Sequence, residues 1–204
     1  MEDARRFAPA TARNREPILE VLRRVIPRGA RVLEIASGSG EHAMYLGAEL
    51  DVASWQPSDP DPAGRASIDA WRAFAHAERV LPAIDLDVER LPWPVSDVDA
   101  VVCINMIHIS PWSATEALVS GAAAALVPGG LLYTYGPYMR DGVHTAPSNE
   151  AFDASLRGRD PRWGVRDIDD VARAAERQGL ELREIVPMPA NNLSLVFGRA
   201  MLRA

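Results

Sequence analysis

Residues Val32-Leu33-Glu34-Ile35 run directly into Ala36-Ser37-Gly38-Ser39-Gly40, and a helical pattern begins at Glu41. A short, nearly continuous apolar run bounded by turn residues reads as a buried strand. Two glycines one residue apart let the backbone turn sharply and come close to a ligand. The helix that follows offers unpaired N–H groups at its start. Strand, glycine turn and helix in this order commit the chain to βα packing, with helices covering a largely parallel sheet.

The same rhythm continues along the chain. Ile18, Leu19, Leu22 and Val25 predict a helix over 17–25, with Pro17 in its first turn and Pro27-Arg28-Gly29 ending it. Strands are expected at 31–36, 53–58, 80–86, 98–104 and 131–135, the third made irregular or an edge by Pro82. Helices are expected at 41–50, 66–77, 113–126 and 167–178, the last capped by Asp167 and ended by Gly179. Two final strands, 182–186 and 193–197, are joined by Pro187–Asn192. That link is too short for a crossover helix, so the last strand must run antiparallel. The expected fold is a single α/β domain over 1–204, with a doubly wound, seven-stranded, mostly parallel sheet. Residues 1–28 would form a helical cover. Residues 136–165 lack periodicity and hold Pro137, Pro147 and Pro161, so they read as a long loop insertion on the substrate side.

Composition removes several function classes. A chain of 204 residues suits one domain with its own core. No apolar run approaches the roughly 20 residues of a membrane helix, and no export signal follows Met1-Glu2-Asp3-Ala4-Arg5-Arg6, so a cytoplasmic protein is expected. Cys103 is the sole cysteine and sits in an apolar run, which suits a buried small hydrophobe. The net charge of −6 comes without a basic stripe and argues against nucleic acid. The chain has no lysine, which excludes P-loop and Schiff-base chemistry. His42, His76, His108 and His144 lack paired spacing, so no metal is expected. A small-molecule substrate remains, and self-association stays open.

Gly38-Ser39-Gly40-Glu41-His42-Ala43 fits the loose pattern G-x-G-x-x-G/A, which does not separate a dinucleotide from S-adenosylmethionine. Glu34 does. A carboxylate ahead of the turn would repel a pyrophosphate and attract an amino-acid ammonium. Its structural alternative is an ion pair with Arg31. Ala36, Ser37, Gly38 and Gly40 would hold the cofactor through the turn. Asp59, about twenty residues further on, suits the ribose hydroxyls, with Asp61 as competitor. Asp87 would accept the adenine amino group and the Val88 N–H would meet the ring, with Asp85 competing. Asn105 and His108 end the fourth strand and face cofactor or substrate. No Tyr-x-x-x-Lys pair supports an NAD(P)-dependent oxidoreductase. A cofactor-binding protein without transfer activity, acting as regulator or scaffold, is the other alternative.

With these residues in place, the chain resembles a family of small class I S-adenosylmethionine-dependent methyltransferase-like proteins spread from bacteria to animals. The animal member is methyltransferase-like protein twenty-six. The likeness is carried by Arg13-Asn14 with Pro17-Ile18, by 32–40, by Trp55-Gln56-Pro57-Ser58-Asp59, by Leu86-Asp87-Val88 and by Cys103-Ile104-Asn105-Met106. It extends through Thr134-Tyr135-Gly136-Pro137-Tyr138, Ser148-Asn149, Trp163-Gly164 and Met188-Pro189-Ala190-Asn191-Asn192. It implies a seven-stranded methyltransferase fold with the cofactor at the first three strand ends. Ala36 stands where the superfamily usually has its first glycine.

Methyl transfer from a sulfonium is an in-line displacement with a neutral leaving group. Alignment supplies several kcal/mol of the barrier reduction, and a base is needed only if the nucleophile keeps its proton. His108, Tyr138 and His144 are the candidate bases. Tyr135, Asn191 and Asn192 would orient the acceptor. Arg13 and Asn14 would cover the cofactor or bind a substrate carboxylate, unless Asn14 caps the first helix.

Overall fold

A computed structural model describes residues 3–201. In chain order the elements begin with α1 (Thr11–Val25), β1 (Ala30–Ile35), α2 (Glu41–Glu49), β2 (Val52–Pro57) and α3 (Pro62–Ala75). There follow β3 (Val98–Ile104), α4 (Trp112–Ala125), β4 (Leu126–Gly136), β5 (Tyr138–Arg140) and β6 (Val143–His144). The last elements are α5 (Pro147–Arg159), β7 (Arg166–Asp167), α6 (Ile168–Glu176), β8 (Leu180–Met188) and β9 (Asn192–Arg199).

The main sheet has the order β2-β1-β3-β4-β9-β8. Its first four strands are parallel, and β9 runs antiparallel to both β4 and β8. Alternate residues of β3 enter opposite layers. Val101 and Cys103 pack with α4 and α6, while Ala100, Val102 and Ile104 pack with α1 and α2. Burial on both faces is why this strand reads as an apolar run from Ala100 to Ile104, broken only near its start by the half-buried Asp99. Cys103 lies inside the core, and burial pushes its thiol up to about 12. Asp167 caps α6 by accepting from the Asp169 N–H at 2.9 Å, and Asp61 caps α3 in the same way through Ala63 at 3.0 Å. Asp61 followed by Pro62 is a helix-start signal, and it places the start of α3 ahead of the expected residue 66.

Three segments depart from expectation. The seventh strand position is filled by residues 80–86, which meet β2 through only two parallel bridges, Trp55 to Val80 and Ser58 to Ile84. Pro82 lies between those bridges and has no N–H to extend the ladder. Helix α1 starts at Thr11, so Pro17 lies inside it rather than in its first turn. The carbonyl that Pro17 leaves unpaired belongs to Arg13, an exposed residue. Residues 136–165 are not a long loop. They contain α5 and most of a small sheet with the order β6-β5-β7. Among the described residues, no helix is long and apolar enough to cross a membrane.

Candidate functional site

The carboxyl ends of β1, β2, β3 and β4 meet at one edge of the sheet. There Gly38 and Gly40 take φ of +59° and +90°, the left-handed conformation that glycine adopts without strain. Hydrogen bonds tie the turn to the end of β2. The Ser37 N–H donates to the Ser58 carbonyl at 2.9 Å, and the Gly38 N–H donates to Asp59 Oδ2 at 2.9 Å. The other oxygen of Asp59 accepts the Asp61 N–H at 2.9 Å. Asp59 is buried and lines the cleft beyond the turn, whereas Asp61 is exposed and paired with Arg6 at 3.0 Å.

This cleft has a volume of about 420 Å³. One wall is 36–39 with Asp59, and another is Asn105 and Met106 at the end of β3. Ala8, Ala10 and Thr11 line it as well. The segment before α1 is tied to the turn through shared groups. Glu41 Oε2 accepts from both the Ala8 N–H and the Ser39 hydroxyl. The Ser67 hydroxyl accepts from the Arg6 N–H and donates to the Ser39 carbonyl.

Glu34 is buried directly behind the cleft. Its carboxylate accepts from the Ser37 hydroxyl at 2.9 Å and the Trp55 indole N–H at 3.0 Å. Ser37 lines the cleft; Glu34 does not. Burial pushes the Glu34 carboxyl up to about 7. The Trp55 and Ser37 hydrogen bonds oppose that rise, and the nearby Asp59 charge adds to it. Arg31, the partner considered for Glu34, instead stands 3.7 Å from Asp99. Asp87 accepts from the Glu89 N–H and stands 3.4 Å from Arg90, while Asp85 pairs with Arg65 at 3.4 Å. Neither Asp87 nor Val88 lines the cleft, although both follow the segment that bridges to β2.

Two further cavities adjoin the first. One, of about 250 Å³, is lined by Arg13, Asn14, Tyr135 and Asn192 among others. The other, of about 470 Å³, is lined by His108, Asn149, Phe152 and Asn191 among others. Asn105 and Ala10 are walls of all three cavities. Ala36, Asn105, Ala190 and Asn191 carry positive φ without being glycine, and each lines at least one of these cavities. Strain of this kind costs on the order of 1–3 kcal/mol per residue and clusters at functional sites.

The other expected residues divide. Arg13, Asn14, Tyr135, Asn191 and Asn192 come together at the two adjoining cavities. Asn14 lies inside α1, so it does not cap it; its Oδ1 accepts from His42 Nε2 at 2.8 Å. No sequence signal marks His42 as part of the site, yet it lines the cleft at the turn. Burial, then the Arg15 charge, lowers its pKa to about 4. Burial raises the Tyr135 phenol, and the amides of Asn14 and Asn192 offset part of that rise. Burial and Arg166 lower His108 to about 4. Tyr138 lines none of the three cavities. It is fully buried, its hydroxyl is 2.7 Å from Thr134 Oγ1, and burial pushes its pKa far above the usual phenol range. His144 stands in β6 with Nε2 3.9 Å from Asp153 and lines none of the three cavities. Among the described residues, no group of three or more His, Cys, Asp or Glu side chains could hold a metal ion.

The fold is shared with solved structures of methyltransferases. An O-methyltransferase family protein from Burkholderia thailandensis superposes with a TM-score of 0.78 at 18% identity, covering 95% of this chain and 58% of that one. The S-adenosylmethionine-dependent methyltransferase SibL gives 0.76 at 17% identity, covering 94% and 56%. The mitomycin 7-O-methyltransferase MmcR gives 0.77 at 14% identity, covering 94% and 54%. At such identities the likeness is one of fold, and this chain spans little more than half the length of each. The sequence itself matches one family profile from residue 5 to residue 199, and the chain therefore belongs to the DUF938 family, described as protein of unknown function.

Proposed function

We propose that this chain transfers a methyl group from S-adenosylmethionine to a small-molecule acceptor. The observation that carries the proposal is the adjacency of the cavities. The cleft at the glycine turn shares Ala10, Asn105 and Ile109 as walls with a second cavity large enough for an acceptor. In this reading the turn from Ala36 to Gly40 takes the amino-acid part of the cofactor. Asp59 takes the ribose, and Asp87 with the Val88 N–H takes the adenine. Asn105, a wall of both cavities, would face the methyl donor on one side and the acceptor on the other. Kinship with methyltransferase-like protein twenty-six belongs to the same reading, and so does a cytoplasmic location.

The chain's own residues have one task in such a reaction, which is to hold the two reactants in line and keep water out. Asp59 is the most sensitive position. Its carboxylate braces the turn through the Gly38 N–H and would also accept the ribose hydroxyls. A hydrogen bond to a charged group is worth about 1.5–3 kcal/mol. Asp59→Ala is therefore expected to weaken S-adenosylmethionine binding more than tenfold by calorimetry, with the fold retained by circular dichroism. Unchanged affinity in a folded Asp59→Ala protein would remove Asp59 from the site. Absence of any binding by the unaltered chain would sink the whole reading.

A further inference from the structure

We propose that the acceptor is a carboxylic acid with an apolar body, its carboxylate held by Arg13 and Tyr135 in the 250 Å³ cavity and its body in the 470 Å³ one. This rests on the methyl-transfer reading above and names the substrate class of that site.

The charge follows from Arg13. Helix α1 carries four arginines. The Arg15 guanidinium lies over the Tyr45 ring, 4.4 Å from its centroid. Arg23 pairs with Glu49 at 2.8 Å and Arg24 with Glu184 at 2.7 Å. The Arg13 guanidinium has no carboxylate, carbonyl or ring partner among the described residues, and it lines the smaller cavity. It does not line the cleft at the glycine turn. A guanidinium offers parallel N–H groups that match the two oxygens of a carboxylate.

The rest of the lining suits a single negative charge. No Asp or Glu lines either cavity, Arg13 is the one formally charged side chain on them, and burial with the Arg166 charge keeps His108 neutral. An ammonium would give up hydration here without gaining a counter-charge. A phosphate dianion would bring one charge more than Arg13 offsets. The first turn of α1, from Ala10 to Asn14, forms part of the wall, so the positive end of that helix borders the same space.

The uncharged polar groups add donors. Tyr135 is 3% exposed and lines the smaller cavity, and burial keeps its phenol protonated. Asn14 turns its Oδ1 to His42 at 2.8 Å, which leaves Nδ2 for Tyr135. The amides of Asn14 and Asn192 both favour the ionised phenol oxygen, so both present N–H to it. With donors on the oxygen, the hydroxyl proton is left for a ligand. The Asn105 side chain lines both cavities and has no hydrogen-bond partner among the described residues. Carboxylate oxygens accept only, and they match these groups.

The body has a place beside the carboxylate. Ala10, Asn105, Ala190 and Asn192 are walls of both cavities, which sets the two side by side. The larger one adds Phe152, Ile109 and Pro137. Phe152 and Ile109 are 39% and 41% exposed, and an apolar body lying on them would take their surface out of water.

The test uses the full chain loaded with S-adenosylhomocysteine and probes that share one ring system. These are 2-naphthoate, 2-naphthol, 2-naphthylmethylamine and 2-naphthyl phosphate, with hexanoate as a second acid. By NMR, 2-naphthoate is expected to shift Tyr135 and Phe152 saturably and to bind roughly tenfold more tightly than the other naphthyl probes. Arg13→Ala should weaken 2-naphthoate by about tenfold or more, and Tyr135→Phe by about fivefold, while S-adenosylhomocysteine affinity stays within about twofold in both. Arg13→Glu, a change at an exposed position, should turn the preference toward 2-naphthylmethylamine, which loss of a merely structural arginine would not do. Four results would overturn the proposal: another naphthyl probe binding as tightly as 2-naphthoate, no binding of either acid at millimolar concentration, undiminished 2-naphthoate affinity in Arg13→Ala, or a large loss of S-adenosylhomocysteine affinity in Arg13→Ala, which would give the guanidinium to the cofactor. Failure of S-adenosylhomocysteine to bind the unaltered chain would instead bring down the underlying methyl-transfer reading.

Discussion

The Glu34→Gln protein is expected to be more stable than the unaltered chain at pH 8, by roughly 3 kcal/mol, and to bind S-adenosylmethionine about tenfold more weakly. The stability gain follows from where the carboxyl group sits. Its pKa rises from 4.5 to about 7 on folding, chiefly through burial. Between those values the folded chain holds a proton that the unfolded chain has released. Stability therefore falls as pH rises from about 4.5 to 7, and above that the loss is complete. The amide side chain of the Glu34→Gln protein would keep the shape and accept from Trp55 and Ser37 without ionising. The two proteins should differ by less than about 1 kcal/mol at pH 5 and diverge by pH 8. The affinity loss follows from the same charge. An ammonium held at Ser37 would feel the carboxylate behind it, and the amide offers no such field. Urea unfolding at pH 5 and pH 8, with calorimetry at both, measures the two effects. An unaltered chain whose stability is flat from pH 5 to 8 would contradict the buried ionisation.

Gly40→Ala should cost about 3 kcal/mol of stability and degrade the cofactor site. Two costs combine there. The residue has φ of +90°, and its added Cβ would lie 2.8 Å from the Cα of Ile68, a backbone atom of α3 that cannot swing aside. Relief requires α3 to move off the turn, carrying Ser67 and its bond to the Ser39 carbonyl with it. Gly29 separates the two costs. Its φ is +72° with nothing within 4 Å of an added methyl group, so Gly29→Ala should lose only about 1 kcal/mol. Equal losses at the two positions, measured by denaturant unfolding, would show that contact with Ile68 contributes nothing.

The elements legible in the sequence are those in which one physical cause dominates. β3 is buried on both faces, and it ends where the apolar run Ala100–Ile104 ends. The β8–β9 hairpin follows from a link too short to cross the sheet, and α6 from the Asp167 cap. Helix α5 is hidden in the sequence because its buried residues are Asn149, Asp153 and Leu156. Helical spacing is present, but two of the three residues are polar, and Asp153 is satisfied by the Arg157 side chain and the Val165 N–H. Tyr138 departs from its expected place for a different reason. Position near a strand end says which edge a residue is close to, not which way its ring turns, and Thr134 four residues earlier draws the hydroxyl into the core. In the site, the glycine turn and Asp59 can be read because they are local to strand ends. The walls formed by Ala8, Thr11 and His42 cannot, since they depend on the way α1 folds back across the sheet, and the Asn14 to His42 contact spans 28 residues.

Asn105 stands as a common partition, with φ of +61° and a face on each of the three cavities. A ligand that displaces this side chain on one side alters the free energy of occupancy on the other. By reciprocity, the coupling must be the same in both directions. Binding of cofactor and acceptor are then not separate quantities for this protein. Substitutions on opposite sides of residue 105 should fail to add, and their non-additivity measures how far one occupant senses the other.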